Sequence, residues 1–359
     1  MSVTPYLDWF VNQFPFDPTL MEQAAAVVQA RVLAILFQVL DLLPSARPLI
    51  QALGPPGSTK TTFARGLGAI ATGTGEFIVP TNMPSNERGF WISISKFRWA
   101  IFDNIENPPK WFPDSLAVAT SGGQHGERML YTNSDLITFG AAGLLCITSF
   151  TGSIARGDLL DRSIFFRLRV PSQRKRESML LKLLQEYAPA IKAELDYVAG
   201  QLRARGLGGL DSYALPDAGR LADFTVVGRL LAEATGGAGD LALFNCALQA
   251  QKVERVRVAT GNPLVGAVVV WASSSQNLAP DSTRGLWVTV TDLLRSMAAS
   301  MGSVAGFQLT ERDASRLGKL LQELKQHSAG ILNIEDRIRN GRTEYRVRLT
   351  DETLAVHLG

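Results

Sequence analysis

Several residue types that would assign this 359-residue chain to a familiar class are scarce. There are two cysteines, Cys146 and Cys246, in apolar surroundings and without paired spacing. That argues against a disulfide framework or a thiolate metal site and fits a reducing, cytoplasmic setting. There are three histidines, of which His327 and His357 stand in no metal-like or triad-like spacing. The formal net charge is only +3, so a nucleic-acid contact must come from local clusters rather than from a global field. No long uninterrupted apolar run is present. The longest, Ala24 to Leu43, is broken by Gln29, Arg31, Gln38 and Asp41, and predicts an amphipathic helix of a soluble protein rather than a membrane span. The N-terminus lacks a basic stretch followed by an apolar one and a cleavage site, so nothing predicts export. Internal repeats and low-complexity tracts are absent.

What is present is ordinary globular composition, 46% apolar and 19% charged, at a length that suits two or three domains. The most informative stretch is Gly54-Pro55-Pro56-Gly57-Ser58-Thr59-Lys60-Thr61-Thr62. An apolar run from Pro48 to Leu53 enters it as a buried strand would, and Phe63 to Leu67 leave it in a helical pattern. A glycine-rich strand-to-helix junction of this kind converges backbone N–H groups on phosphate oxygens, aided by the positive end of the helix. ATP is the expected ligand, with Lys60 reaching its β- and γ-phosphates and the Thr61 hydroxyl ligating Mg²⁺. One residue departs from the usual pattern: Thr59 stands where a glycine precedes the lysine, and it must avoid a positive φ or accept strain.

Along the chain, residues 1–47 read as a helical entry with Trp9, Phe10, Phe14 and Phe16 as packing residues. From 48 to 170 apolar strands alternate with helices and loops, predicting an α/β sheet with helices on both faces; the strands are Pro48 to Leu53, Phe77 to Pro80, Arg98 to Phe102, Leu144 to Thr148 and Ile164 to Val170. Residues 171–260 have helical periodicity, open on Arg174-Lys175-Arg176 and read as a helical lid; residues 261–288 read as a linker. In 289–359, Thr291 could cap one helix and Thr310 or Asp313 a second, and two strand-like runs flank Asn340-Gly341, a strong hairpin signal. Helix, helix and β-wing is the order of a winged helix.

A phosphate-binding loop needs an acidic strand end opposite it to hold the Mg²⁺ shell, and Trp99-Ala100-Ile101-Phe102-Asp103 supplies one. Asn104 follows and can orient a water but cannot accept its proton; Glu106 can accept one and is the weaker candidate. Thr148, ending Leu144 to Ser149, is expected to hydrogen-bond the γ-phosphate or the water. Arg162, just before Ser163-Ile164-Phe165-Phe166, is expected to reach a neighbouring subunit's γ-phosphate, with Arg156 as a second candidate. The alternative for Arg162 is an ion pair with Asp158 or Asp161.

Taken in order and spacing, Gly54 to Thr62, Ala100 to Asn104, Leu144 to Ser149 and Asp158 to Arg162 resemble AAA+ ATPases of phages, plasmids and integrative elements, related in style to superfamily 3 and primase-associated helicases. The resemblance spans about residues 30–350. It implies ATP-dependent work on DNA by a homo-oligomeric ring, a hexamer, with a primase or replication partner and no membrane. It also implies that Arg220, in the lid segment Arg220-Leu221-Ala222-Asp223-Phe224, contacts nucleotide.

Between the Asp103 and Thr148 strands, Gly126 to Phe139 read as a hairpin. Related helicases insert a hairpin here into the central channel, where His125, Arg128 and Asn133 could contact phosphate. In the last segment Arg312, Arg316 and Lys319 fall on one helix face, while Arg337, Arg339, Arg342, Arg346 and Arg348 populate the wing. Such a helix suits a major groove, and such a wing suits phosphates. Trp91, Trp271 and Trp287 read as core anchors. The leading expectation is an Mg²⁺-dependent DNA motor. Its rivals are an ATP-gated DNA-binding or helicase-loading protein with slow hydrolysis and a partner-remodelling defence ATPase.

Overall fold

The computed structural model describes residues 4–18, 21–43, 47–128, 136–150, 152, 154, 156–173, 175–205, 221–235, 238–260, 268, 271–272, 287–300, 313–327 and 332–349. Two units divide the chain, one of Met1–Asp17 and Gln23–Phe244, the other of Pro18–Glu22 and Asn245–Gly359.

In the first unit the described elements run α1 (Pro5–Val11), α2 (Gln23–Gln38), β1 (Leu49–Leu53), α3 (Lys60–Thr72), α4 (Glu87–Lys96), β2 (Trp99–Phe102), α5 (Trp111–Thr120), β3 (Gln124–Arg128), β4 (Leu136–Gly140), β5 (Leu144–Ser149), α6 (Gly157–Leu160), β6 (Ser163–Arg167), α7 (Glu177–Arg205) and α8 (Ala222–Thr235). A further helix, α9 (Ala238–Thr260), runs across the boundary between the units. The architecture is mixed α/β. Strands β2, β5, β1 and β6, in that order, form a parallel sheet. All four are near-continuous apolar runs and are buried, as parallel strands covered on both faces must be. Cys146 lies fully buried on β5, and burial pushes its thiol pKa up.

Phe77 to Pro80 do not join as a strand. Only Thr81 makes a parallel bridge, to Phe102, its N–H donating to Ile101 O at 2.6 Å. Val79 is 77% exposed, and Pro80 has no N–H for a ladder. The last expected strand stops at Arg167 rather than Val170. Beyond it the N-terminal segment completes the edge: Phe16 bridges Leu168, Asp17 N donates to Arg167 O at 2.9 Å, and Arg169 N donates to Pro15 O at 3.0 Å.

The expectation for the first long helix also needs correcting. From Ala25 to Phe37 every residue of α2 is buried, so it is not amphipathic but the central helix of its layer. The polar residues within it are satisfied internally. Gln29 donates to Phe165 O at 2.8 Å, and Arg31 pairs with Asp8 at 2.6 Å and Asp240 at 2.9 Å. Helices α3, α7 and α8 all pack on α2. An aromatic cluster fastens α3 to the sheet: the Phe63 ring lies 4.9 Å from Phe166, 5.3 Å from Phe14 and 5.4 Å from Phe16. Gly66 lets α1 approach α3, since a Cβ there would fall 2.1 Å from the Phe10 ring. No helix among the described residues is long and apolar enough to cross a membrane.

In the second unit β7 (Val288–Thr289), α10 (Val290–Ser300), α11 (Asp313–His327), β8 (Leu332–Arg339) and β9 (Arg342–Leu349) are described. The strands form an antiparallel sheet in the order β7, β9, β8. Asn340 and Gly341 join β8 and β9 with φ of 51° and 72°, the left-handed pair a two-residue turn demands. Thr289, not Thr291, caps α10, its hydroxyl accepting Asp292 N at 3.2 Å and donating to the Asp292 carboxylate at 2.7 Å. Val268, Trp271 and Ala272, inside the expected linker, are buried in this unit's apolar core, and Trp271 Nε1 donates to Ser296 at 2.8 Å. Gly261-Asn262-Pro263 and Ser273 to Ser275 lie outside the described residues.

Candidate functional site

Because β1 lies between β5 and β6 and runs parallel to both, the ends of β1, β2 and β5 open on one edge of the sheet. In such sheets ligands bind outside the carboxyl ends of the strands. Leu53, the last residue of β1, pairs with Ser149 and Arg167, and the loop Gly54 to Thr59 leads from it directly into α3. Gly54 is required by close approach: a Cβ there would fall 2.4 Å from Leu168 O and 2.6 Å from Ser58 Oγ. Its N–H donates to Ser149 O at 3.2 Å, which ties the loop to the end of β5. Pro55, Pro56 and Gly57 form the exposed outer part of the loop, and Ser58 turns back under it, fully buried.

Thr59 takes the strained option. It sits in the left-handed region at φ 64°, the position a glycine would occupy without cost. Its hydroxyl donates to Ser58 O at 2.5 Å and does not cap α3. The first N–H of α3 to bond within the turn is that of Phe63, to Thr59 O at 2.9 Å. An uncapped N-terminus leaves the N–H groups of Lys60, Thr61 and Thr62 facing the loop mouth, where the helix dipole favours an anion. All three side chains are half-buried.

The two halves of the site meet at Asp103. The Thr61 hydroxyl donates to Asp103 Oδ1 at 2.8 Å, and the Thr148 hydroxyl from the end of β5 donates to the same oxygen. Asn104 follows in the left-handed region, φ 55°, and its backbone N–H donates to Thr148 Oγ1 at 2.8 Å. Its side chain is exposed. Glu106 accepts the Phe150 N–H at 2.6 Å, and the neighbouring Ile105 N donates to Thr148 O at 2.9 Å. Glu106 is thus bonded to the loop after β5, a contact with no sequence signal. A hydroxyl and a carboxylate at one point are hard oxygen donors of the kind Mg²⁺ takes, with one carboxylate sufficing. Thr61 and Asp103 fit that group.

Arg162 and Arg156 lie elsewhere. Ser163, next to Arg162, pairs with Leu49 at the start of β1, so Arg162 stands at the opposite edge of the sheet from the loop, roughly 15 Å along the strands. Its guanidinium donates to Ala117 O at 2.8 Å and to the Ser121 hydroxyl, at the C-terminal end of α5. Arg156 is bonded to two carboxylates, Asp158 at 2.6 Å and Asp114; they hold its pKa up, and its guanidinium holds that of Asp158 down. Of the two expected acid partners, Asp158 therefore pairs with Arg156. Arg220 lies outside the described residues; Leu221 and Phe224, from the same lid segment, are buried.

The expected hairpin is present as β3 and β4, paired antiparallel from Gln124 with Gly140 to Arg128 with Leu136. Asn133 and the tip lie outside the described residues, and Arg128 ends β3. The His125 ring stacks on buried Trp91 at 5.5 Å and lies 3.3 Å from Glu127, which also pairs with Arg88 at 2.9 Å. In the second unit Arg316 and Lys319 are exposed on α11, and Arg339 and Arg342 on the hairpin tip; Arg312 lies outside the described residues. Trp287 is not a fully buried anchor but half-buried, with Arg337 and Arg346 4.3 and 5.1 Å from its ring centre.

A family model described as actinomycete integrative conjugative element replication protein matches residues 18–252. No curated protein matches the chain. Among solved structures, the apo C-terminal region of NrS-1 is 9% identical, with 97% of this chain and 75% of that one covered and a TM-score of 0.38. The active helicase Cch of SCCmec type IV is 11% identical, with 94% and 68% covered and a TM-score of 0.40. Cdc6p from Pyrobaculum aerophilum is 14% identical, with 91% and 92% covered and a TM-score of 0.24. Likeness at this level carries no activity over to this chain.

Proposed function

The chain belongs to the family of actinomycete integrative conjugative element replication proteins, and on that premise we propose that it is an AAA+-type ATPase that drives DNA work in the replication of such an element. The observation that carries this reading is the meeting of Thr61, Asp103 and Thr148 at one carboxylate oxygen beside the Gly54 to Thr59 loop. The loop and the N–H groups of α3 would cradle the triphosphate, with Lys60 on its outer oxygens. Thr61 and Asp103 would hold Mg²⁺, which when bound neutralises charge on the β- and γ-oxygens. Thr148 fixes the Asp103 carboxylate and the Asn104 amide together, and so sets the side from which water approaches. Arg162 acts on a neighbouring copy's triphosphate, since the sheet keeps it from its own; this supports a ring. The second unit, read as winged-helix-like, supplies DNA contacts through Arg316, Lys319, Arg339 and Arg342.

A second reading, an ATP-gated switch with slow turnover, is favoured by Thr59 in a strained conformation and by an amide at position 104. One experiment separates the two. The motor requires Mg²⁺-dependent ATP hydrolysis stimulated by DNA, abolished by Lys60→Ala, with Asp103→Asn retaining nucleotide but not turnover. Tight ATP binding with negligible turnover, unchanged by DNA, sinks the motor and leaves the switch.

A further inference from the structure

The five arginines of the β8–β9 hairpin do not carry equal free charge. Arg337 pairs with Glu344 at 2.7 Å, Arg348 with Glu335 at 2.6 Å, and Arg346 with Glu335 as well. With Trp287 stacked against Arg337 and Arg346, three arginines of this face share two carboxylates, and each is paired. Arg339 and Arg342 differ. They face each other in the last register pair before the turn, both are exposed, and among the described residues neither has a carboxylate in ion-pair reach. Next to them Ile338 is 80% exposed. Side chains alternate along a strand, so Ile338 lies on the ribbon face opposite Arg339. It continues the face that buries Leu332 and Ile334 on β8, and Tyr345 and Val347 on β9, but past the end of that core. The two-residue turn and the β-branched pair Ile338 and Thr343 make the tip stiff.

A stiff tip with two uncompensated cations on one face and a bare aliphatic side chain on the other fits a polyanion with a stacked apolar interior. Duplex DNA has that chemistry: its major groove admits a two-stranded ribbon, and apolar wedges on minor-groove binders enter its base steps. We infer that the tip Ile338 to Arg342 is a duplex wedge: Arg339 and Arg342 hold backbone phosphates while Ile338 enters a base step and unstacks it. The inference rests on the DNA-binding reading of the second unit.

The test uses the full-length chain and a short duplex carrying 2-aminopurine at successive positions, reading affinity by anisotropy and unstacking by 2-aminopurine fluorescence. Ile338→Ser should leave affinity within about threefold and abolish the fluorescence rise, while Ile338→Leu retains it. Arg339→Ala and Arg342→Ala should each weaken binding about tenfold and lower the salt slope by about 1. Unchanged circular dichroism melting shows that the variants fold. A full fluorescence rise with Ile338→Ser overturns the wedge but leaves DNA binding intact. Loss of self-association by Ile338→Ser with unstacking unchanged assigns the tip to a second copy and also overturns it. A wild-type chain that binds no duplex overturns both this inference and the reading beneath it.

Discussion

The backbone N–H of Asn104 donates to the hydroxyl of Thr148 at 2.8 Å, and that bond holds Asn104 in the left-handed region. Thr148 in turn donates to Asp103, so one buried hydroxyl fixes both residues that follow the β2 strand. Thr148→Val keeps shape but removes donor and acceptor. ATP turnover should fall about 100-fold with nucleotide affinity changed little, and stability should fall by about 1–3 kcal/mol as the Asn104 N–H loses its partner. Thr148→Ser should restore both. Steady-state kinetics and chemical denaturation check this; wild-type turnover in the valine variant refutes the assignment.

Thr59→Gly removes a Cβ from a backbone at φ 64°. The strain relieved, of order 1 kcal/mol, is common to the free and bound loop where both keep this conformation, so it tightens nucleotide binding, by up to about fivefold, only as far as the free threonine loop relaxes out of it. Titration with a fluorescent ATP analogue measures it. Weaker binding would mean that the threonine, bonded to Ser58 O, organises the loop rather than strains it.

Arg162 sits at the edge of the sheet away from the loop, bonded to neutral acceptors on α5, whereas Arg156 is bound by two carboxylates. Arg162→Ala should cut turnover by about 1,000-fold or more with ATP binding intact, and Arg156→Ala far less. Mixing inactive Arg162→Ala with inactive Lys60→Ala should recover activity, because each supplies what the other lacks. A mixture as inactive as its components refutes action between copies.

The N-terminus of α1 is met by Glu194 from α7, whose carboxylate accepts the Tyr6 N–H at 3.3 Å. Burial raises its pKa, and the backbone N–H groups of Tyr6 and Leu7 only partly oppose that. A raised folded-state pKa contributes stability that is full below the unfolded value, about 4.3, and is lost as pH rises through the folded value. Glu194→Gln should therefore raise the melting temperature near neutral pH and flatten its decline from about pH 4 upward. An unchanged pH profile would show that the carboxylate is not desolvated.

The loop, the Asp103 strand and the Thr148 strand were legible in the sequence because each is a short apolar run ending in one polar residue, and parallel strands must be apolar on both faces. The Asn340-Gly341 turn was legible because few residues accept its backbone angles. What could not be read depends on partners far along the chain. Nothing near Ala24 to Leu43 tells that α3, α7 and α8 cover α2 on several sides. Nothing near Trp287 tells that Arg337 and Arg346 will stack on it. Nothing near His125 tells that its ring will stack on Trp91. Phe77 to Pro80 had strand composition, but with Pro80 in the run it makes no ladder, and the chain there settles for one bridge.

Cys146 lies at the centre of the sheet, between β1 and β2, fully shielded and with its thiolate disfavoured by the surrounding apolar matrix and by Asp103. A thiol reagent can reach it only when those strands separate. Its labelling rate in the folded protein thus becomes a built-in clock for opening of the whole β layer, and any ligand that clamps the loop to the β5 end will slow that clock in proportion to its occupancy.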